Sequence, residues 1–360
     1  MVSHQTLESK VSKEHLLPYL KQYGRNAYSY ATLQEGMEYF VDEGTGYIAY
    51  TTIRHPLFAP FSKKIVLSDP VCAKERTKDL TEKFLQSNPR AIFVPISEDC
   101  GNSLKELGFK VNCVGYEPVI DNQSYNTAGN WKELDLIKRA RNEARRNNIK
   151  IREGIDSENR DHLIDLSKKW LKGKKLNDRE IWIYARKPVY TQEEDVRKFL
   201  AFCDNEIVGF AFYDPIYENG KIIGYSDNLS RCDEERFGKL SVAMNMEAID
   251  KFKKEGKRTL NLCLAPFDKV ENGTMNDDFL TKSFFKFMYN YGEEVYNFKG
   301  LSFHKMKYRA NNIPVYFASN GVMPVNDVYL AFKSSDIAKS YFDTILKTSK
   351  SLIKHFKNLF

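Results

Sequence analysis

Apolar residues recur along this chain with periods near 3.6 and near 2, so helices and strands alternate from end to end. The first third predicts helices at Lys13–Gln22 and Tyr28–Glu38, then a hairpin of Met37–Val41 with Gly46–Thr52. A strand at Lys64–Leu67, a helix at Ala73–Gln86, a buried strand at Ala91–Pro95, a short helix at Asn102–Leu107 and a strand at Lys110–Ile120 follow. Asp121–Asn130 is polar and rich in turn formers, which predicts a linker.

Beyond it the theme returns. A basic helix (Trp131–Asn147) leads to a strand (Ile149–Arg152), a helix (Arg160–Leu171) and a lysine-rich loop. Three strands, Arg197–Cys203, Ile207–Tyr213 and Ile222–Asp227, are separated by the turn formers Asp204-Asn205 and Glu218-Asn219-Gly220. A helix (Lys239–Lys254), a strand (Thr259–Leu264), a helix (Asp278–Tyr291) and strands at Pro314–Phe317 and Val328–Phe332 close the pattern. Both halves run helix, hairpin strands, helix, buried strand, helix, strand, an order that resembles the acetyltransferase (GNAT) unit. The expected fold is therefore α/β (α+β): two tandem GNAT-like units, each a mixed, largely antiparallel sheet flanked by helices. The expected boundaries are 1–125 and 126–333, with a basic amphipathic tail helix at 334–360.

Composition narrows the class. The chain has 360 residues, which suits two domains, and its 42% hydrophobic and 13% aromatic content excludes disorder. No apolar run reaches the ~18 residues of a membrane span; Ile207–Ile216 is short and broken by Asp214 and Pro215. Met1–Lys13 lacks the apolar centre of a signal peptide, so a cytoplasmic protein is expected. Six single cysteines without CxxC spacing, and six dispersed histidines, point to reduced thiols and to no metal site. The net charge of +7 matters only where it is concentrated.

Several segments concentrate charge or chemistry. In the helix Trp131–Asn147, Lys138, Arg141 and Arg145 share one stripe opposite Leu134, Ile137, Ala140 and Ala144. Such a stripe suits the phosphates of a polyanion, and equally a solvated helix face. Gly224–Arg231 is expected to end a strand and enter a loop, where Asp227 and Arg231 suit an acceptor hydroxyl and an anion, or a plain strand-end ion pair. Tyr296–Tyr308 interleaves Lys299, Lys305 and Lys307 with aromatic rings, a composition fitting nucleic-acid ends or an amphipathic strand. Glu234–Lys239 stands where a GNAT enzyme needs a glycine-rich pyrophosphate loop; one glycine and two acids make coenzyme A a poor donor, and no cofactor is expected. In the tail, Ala338, Tyr341, Phe342, Ile345, Leu346, Leu352, Ile353, Phe356, Leu359 and Phe360 fall within one arc of roughly 140° at ~100° per residue, with Lys339, Lys347, Lys350, Lys354 and Lys357 on the other side. This pattern fits an anionic membrane surface or a docked terminal helix.

Asn261-Leu262-Cys263-Leu264-Ala265-Pro266-Phe267 and Tyr296-Asn297-Phe298-Lys299-Gly300-Leu301, followed by His304-Lys305 and Pro314-Val315-Tyr316, resemble the NLGMAPL and YNFKGL…YK segments of the phosphatidylglycerol lysyltransferase C-terminal (DUF2156) family. Leu67–Val71 and Ile137–Ala140 resemble its GDPVG and LRxA segments more loosely. The resemblance runs from Tyr23-Gly24 to about Phe317. It implies two tandem GNAT-like units with a tunnel between them, and transfer of an amino acid from aminoacyl-tRNA to a membrane-lipid hydroxyl without metal or covalent intermediate. It places the family's functional Asp and Arg on Asp227 and Arg231, in a motif one residue longer than the family's DLMR. It brings Lys299 and Lys305 near the acceptor end of the tRNA; with Lys307, Lys138, Arg141 and Arg145 they are the expected contacts to tRNA or lipid phosphate, and Asn261, Pro266, Phe298 and Tyr308 are expected to line the tunnel. The expected partners are aminoacyl-tRNA, an anionic lipid and, through the tail, the inner face of the cell membrane. Asn312-Ile313 replace the family's tryptophan and Val315 its arginine, so the acceptor stays open. Transfer to a peptide or small amine, and non-catalytic RNA or membrane binding, are the alternatives.

Overall fold

The computed structural model describes residues 11–54, 62–127, 134–174 and 180–337. The order is α1 (Lys13–Tyr23), β1 (Glu38–Asp42), β2 (Gly46–Arg54), β3 (Ser62–Val66), β4 (Val71–Cys72), α2 (Thr77–Ser87), β5 (Ala91–Ile96), α3 (Glu98–Glu106) and β6 (Lys110–Asp121). Then come α4 (Asp135–Arg146), β7 (Lys150–Glu153), α5 (Arg160–Lys172), β8 (Arg197–Cys203), β9 (Glu206–Glu218), β10 (Lys221–Cys232), α6 (Leu240–Lys254) and β11 (Thr259–Asn261). β12 (Ala265–Pro266), α7 (Phe279–Tyr291), α8 (Phe298–Met306), β13 (Asn311–Ser319) and α9 (Pro324–Ser334) complete it.

Local chemistry explains most boundaries. Ser12, Ser97, Asp278 and Asn297 each accept a backbone N–H from the first turn of α1, α3, α7 and α8. Asp204-Asn205 and Asn219-Gly220 take positive φ at both positions, the twist that closes two-residue hairpins. The strands form one mixed sheet in the order β1-β2-β3-β5-β13-β6-β11-β10-β9-β8-β7, with β4 on β2 and β12 on β6. β3–β5 and β10–β11 are parallel and the other pairs antiparallel. The predicted boundary at 125/126 is crossed by β13, which lies between β5 and β6. Apolar clusters cover the two faces: α4 and α6 pack on one side of β8–β10 and α5 on the other, while α2–α3 and α7–α9 flank the β5–β13–β6 region.

Four expectations change. Tyr28–Glu38 is helical only as a short turn at Tyr30–Leu33, because Gly36 at φ 89° and the start of β1 end it. Val328–Phe332 is helical, not a strand: Pro324 opens α9, and an apolar run buried on most sides looks like a strand when read alone. The strand from Thr259 stops at Asn261. The predicted linker begins inside β6 at Asp121; Asn122 is fully buried and the Tyr125 hydroxyl donates to the Tyr308 carbonyl, so 121–127 form a tied turn, and 128–130 lie outside the described residues. The predicted tail helix lies, from residue 338 on, outside the described residues. All six cysteines are unpaired. Among the described residues no helix is long and apolar enough to cross a membrane, and no cluster of three side chains suits a metal ion.

Candidate active site

The site begins where two parallel strands part. β10 pairs with β11 only as far as Ser226 opposite Asn261. Past that point β10 runs on to Cys232, whereas β11, already paired with β6 on its other side, ends in a turn at Cys263 (φ 60°) and the chain rejoins β6 as β12. The turn is built by Asn261, whose side-chain oxygen accepts the Cys263 N–H at 2.7 Å. β12 can close on β6 because Gly115 has φ 147° there; a Cβ would sit 2.3 Å from the Ala265 carbonyl. Between the diverging strands lies a cavity of about 290 Å³, walled by α8 and by the segment 181–185.

Asp227 opens into this cavity. Its Oδ2 accepts from Asn245 Nδ2 at 2.9 Å, and its buried Oδ1 has no partner. Burial pushes its carboxyl above the usual range, while Asn245 and then Lys305 work in the opposite direction. Asn245 on α6 also donates to the Tyr308 hydroxyl (3.2 Å) and accepts from Tyr213 (2.6 Å). Replacing Asn245 by Leu would leave those groups unpaired, at an expected cost of about 3 kcal/mol in denaturant unfolding. The same change should raise the Asp227 pKa further and shift the basic rise of any pH–activity profile to higher pH.

Lys305 comes from the inner side of α8. Its ammonium donates to the carbonyls of Cys263 (2.9 Å) and Leu264 (2.8 Å), leaving one N–H for a ligand. Burial lowers its pKa, and Asp227 and Glu117 counter that. The Leu264 N–H is accepted by the Tyr28 hydroxyl at 2.8 Å. Glu117 on β6 lies behind the turn, 8% exposed, and accepts from Asn261 Nδ2 at 2.6 Å. Burial raises its pKa to about 7, against the pull of Asn261 and Lys305. Sequence reasoning missed Glu117, which stands in an otherwise apolar strand run, Cys113–Ile120. An acid within such a run is itself a signal. His304 also lines the cavity, and burial lowers its pKa.

Of the predicted residues, Asp227, Lys305, Pro266, Phe298 and Tyr308 line the cavity, and Asn261 supports it from behind. Arg231 does not line it. The segment expected to be a loop is strand through Cys232, with a bulge between Asp227 and Leu229. The bulge takes up the extra residue and leaves Asp227 facing α6 while Arg231 faces α5. There Arg231 is 5% exposed and forms a bidentate pair with Glu180 (2.8 and 2.5 Å) and a bond to Ser167. Lys299 and Lys307 lie on the outer side of α8: Lys299 donates to the Asn290 carbonyl, and Lys307 covers the Phe303 ring at 4.1 Å. On α4, Arg141 pairs with Asp250 of α6, whereas Lys138 and Arg145 are exposed. None of the three lines the cavity.

At the start of α6, where an acetyltransferase would place a pyrophosphate, the Lys239 N–H is taken by the Glu143 carboxylate at 3.0 Å. Glu234 is held by Lys174 and Trp170, and Asp233 by Lys169.

Residues 18–319 match the family model described as phosphatidylglycerol lysyltransferase, C-terminal. The phosphatidylglycerol lysyltransferase of Bacillus subtilis (strain 168) is 24% identical over 306 residues, covering 83% of this chain and 34% of that protein. This chain thus spans about a third of that relative's length. The L-PGS structure from Bacillus licheniformis superposes with a TM-score of 0.72 at 19% identity, covering 92% of this chain and 99% of that one. A C-terminal DUF2156 domain from Agrobacterium fabrum gives 0.68 at 19% identity, covering 91% and 98%. The predicted mixed α/β architecture is the one these structures share.

Proposed function

The chain belongs to the phosphatidylglycerol lysyltransferase C-terminal family, and on that premise we propose that it transfers an amino acid from aminoacyl-tRNA to the hydroxyl of a phosphatidylglycerol-type lipid. The observation that carries this is the unpartnered Oδ1 of Asp227, a carboxylate lining the same cavity as Lys305. The donor ester is already activated, so the chain's task is proton transfer and charge stabilisation. Asp227 takes the proton of the lipid hydroxyl as that oxygen attacks the ester carbonyl. The remaining N–H of Lys305 faces the negative charge that grows on the carbonyl oxygen. When the C–O bond to the tRNA ribose breaks, the departing oxygen receives the proton back from Asp227. No cofactor or metal has a part in these steps.

The exposed cations of α4, Lys138 and Arg145 with their neighbour Arg139, suit the tRNA backbone. The basic amphipathic sequence at 338–360 and the net +7 charge support work at an anionic bilayer, on the side where tRNA is found.

The test supplies tRNA charged with a labelled amino acid, together with phosphatidylglycerol vesicles, and follows the label into chloroform-extractable material. Label appearing there only with the protein and the lipid present is the expected result. Label that stays on tRNA with every amino acid tried, or moves to an added amine, overturns the proposal.

A further inference from the structure

The segment 180–186 crosses the cavity as a strap and is fastened at both ends to β10, the strand that carries Asp227. At its start, Glu180 takes the bidentate pair from Arg231. At its end, the side chain of Asn228, the residue extruded by the bulge, accepts the Arg186 N–H at 2.9 Å and donates to the Arg186 carbonyl at 3.2 Å. The Arg186 side chain, 5% exposed, is locked against Asp214 (2.6 and 3.0 Å) and Glu193 (2.6 Å).

Between these fastenings the backbone is bent hard. Tyr184 N–H bonds the Trp182 carbonyl at 2.9 Å, which makes a three-residue turn centred on Ile183. Ile183 is fully buried with φ 67°, a conformation that a β-branched side chain adopts only when its surroundings impose it. Gln34 imposes it from the N-terminal part of the chain, donating to the Ile183 carbonyl at 3.0 Å. The turn aims Tyr184 and Ala185, with Ile181, at the cavity, and the Tyr184 hydroxyl donates to the Ala331 carbonyl at 3.4 Å.

We propose that this strap is a fixed gauge for the side chain of the transferred amino acid. Tyr184 and Ala185 are its specificity-determining residues, and Asn228 and Arg231 are positioning residues that set its height above Asp227. The gauge rests on the transfer proposed above. The strap's last fastening is on the residue next to Asp227, and the side chain of an amino acid branches from the carbon beside the ester carbonyl. The wall nearest the base is therefore the wall that this side chain meets. Arg231 so gains a role on the opposite face of the sheet from the cavity.

The test measures binding of alaninamide and phenylalaninamide to the full chain, alongside transfer from alanyl- and phenylalanyl-tRNA. Ala185→Leu adds bulk to the wall of the cavity that Asp227 lines and should weaken the larger amide at least tenfold more than the smaller, the scale on which a few methylenes discriminate in a pocket. Tyr184→Ala should move the ratio the other way, while Tyr184→Phe keeps the ring and leaves it unchanged. Asn228→Ala should bring the two amides closer in affinity, and Asn228→Asp, which still accepts the Arg186 N–H, should restore part of the difference. A purely structural Asn228 would weaken both equally, and that result, or an unchanged ratio in Ala185→Leu, overturns the gauge. Amide ratios that follow the strap without transfer from any tRNA would support the gauge and overturn the transfer.

Discussion

Asp227→Asn is expected to lower transfer by roughly 10²- to 10⁴-fold, the contribution of a positioned general base. The substitution keeps the shape and the oxygen that accepts from Asn245, and removes only the ability to take a proton. It should not lower stability. A buried carboxyl whose folded pKa is raised contributes stability that is present below its unfolded pKa and lost as pH rises through the folded value. Asn is free of that penalty, so at neutral pH the variant should melt no lower than the parent. The pair of measurements separates chemistry from folding. In the parent, activity should climb as pH rises through the raised pKa of Asp227, because only the carboxylate accepts the proton. In the variant the residual rate should lack that limb. A variant that keeps a tenth or more of the parent rate would remove Asp227 from the role of base.

Arg231 makes a contrasting case. Acting through the strap, Arg231→Ala is expected to change selectivity between amino acids more than the rate for the best of them. Its ion pair with Glu180 is buried on the guanidinium side, so truncation also costs stability. Arg231→Lys, which keeps a charge but not the two-pronged geometry, should recover stability better than selectivity.

What was legible in the chain follows from where its signals are local. Hairpin turns such as Asn219-Gly220 and helix caps such as Asp278 declare themselves within a few residues, and those elements stand as expected. The type of α9 was hidden because a helix buried on most sides has no polar stripe to show its period. The face occupied by Arg231 was hidden because a single bulge residue inverts alternation downstream, and a bulge leaves no mark in composition. The site was half legible. Asp227 and Lys305 lie in segments whose residues resemble a known family, but Glu117 and the strap enter through contacts separated by 144 and 42 positions, between Glu117 and Asn261 and between Arg186 and Asn228. Such pairings are properties of the sheet order, in which β6 lies beside β11 and β10 beyond it.

Glu117→Gln should stabilise the protein above neutral pH and impair it as a catalyst. Burial lifts the Glu117 carboxyl from an ordinary 4.5 to about 7, which corresponds to about 3 kcal/mol between the two protonation states. In the unfolded chain the group ionises near its ordinary pKa, so the folded state holds the extra proton between about pH 4.5 and 7. Folding stability therefore declines across that window and levels off above it. Gln is uncharged at every pH and can keep an oxygen toward the Asn261 amide. The variant should match the parent near pH 4 and exceed it by as much as about 3 kcal/mol at pH 8, read from urea unfolding at the two values. The cost falls on Lys305. The Glu117 charge, with that of Asp227, holds its buried ammonium against desolvation. Without it the lysine loses its proton at lower pH, so the alkaline fall of the transfer rate should begin earlier in the variant. A stability difference that stays flat from pH 4 to 8 would mean that folding does not raise the Glu117 pKa into this range.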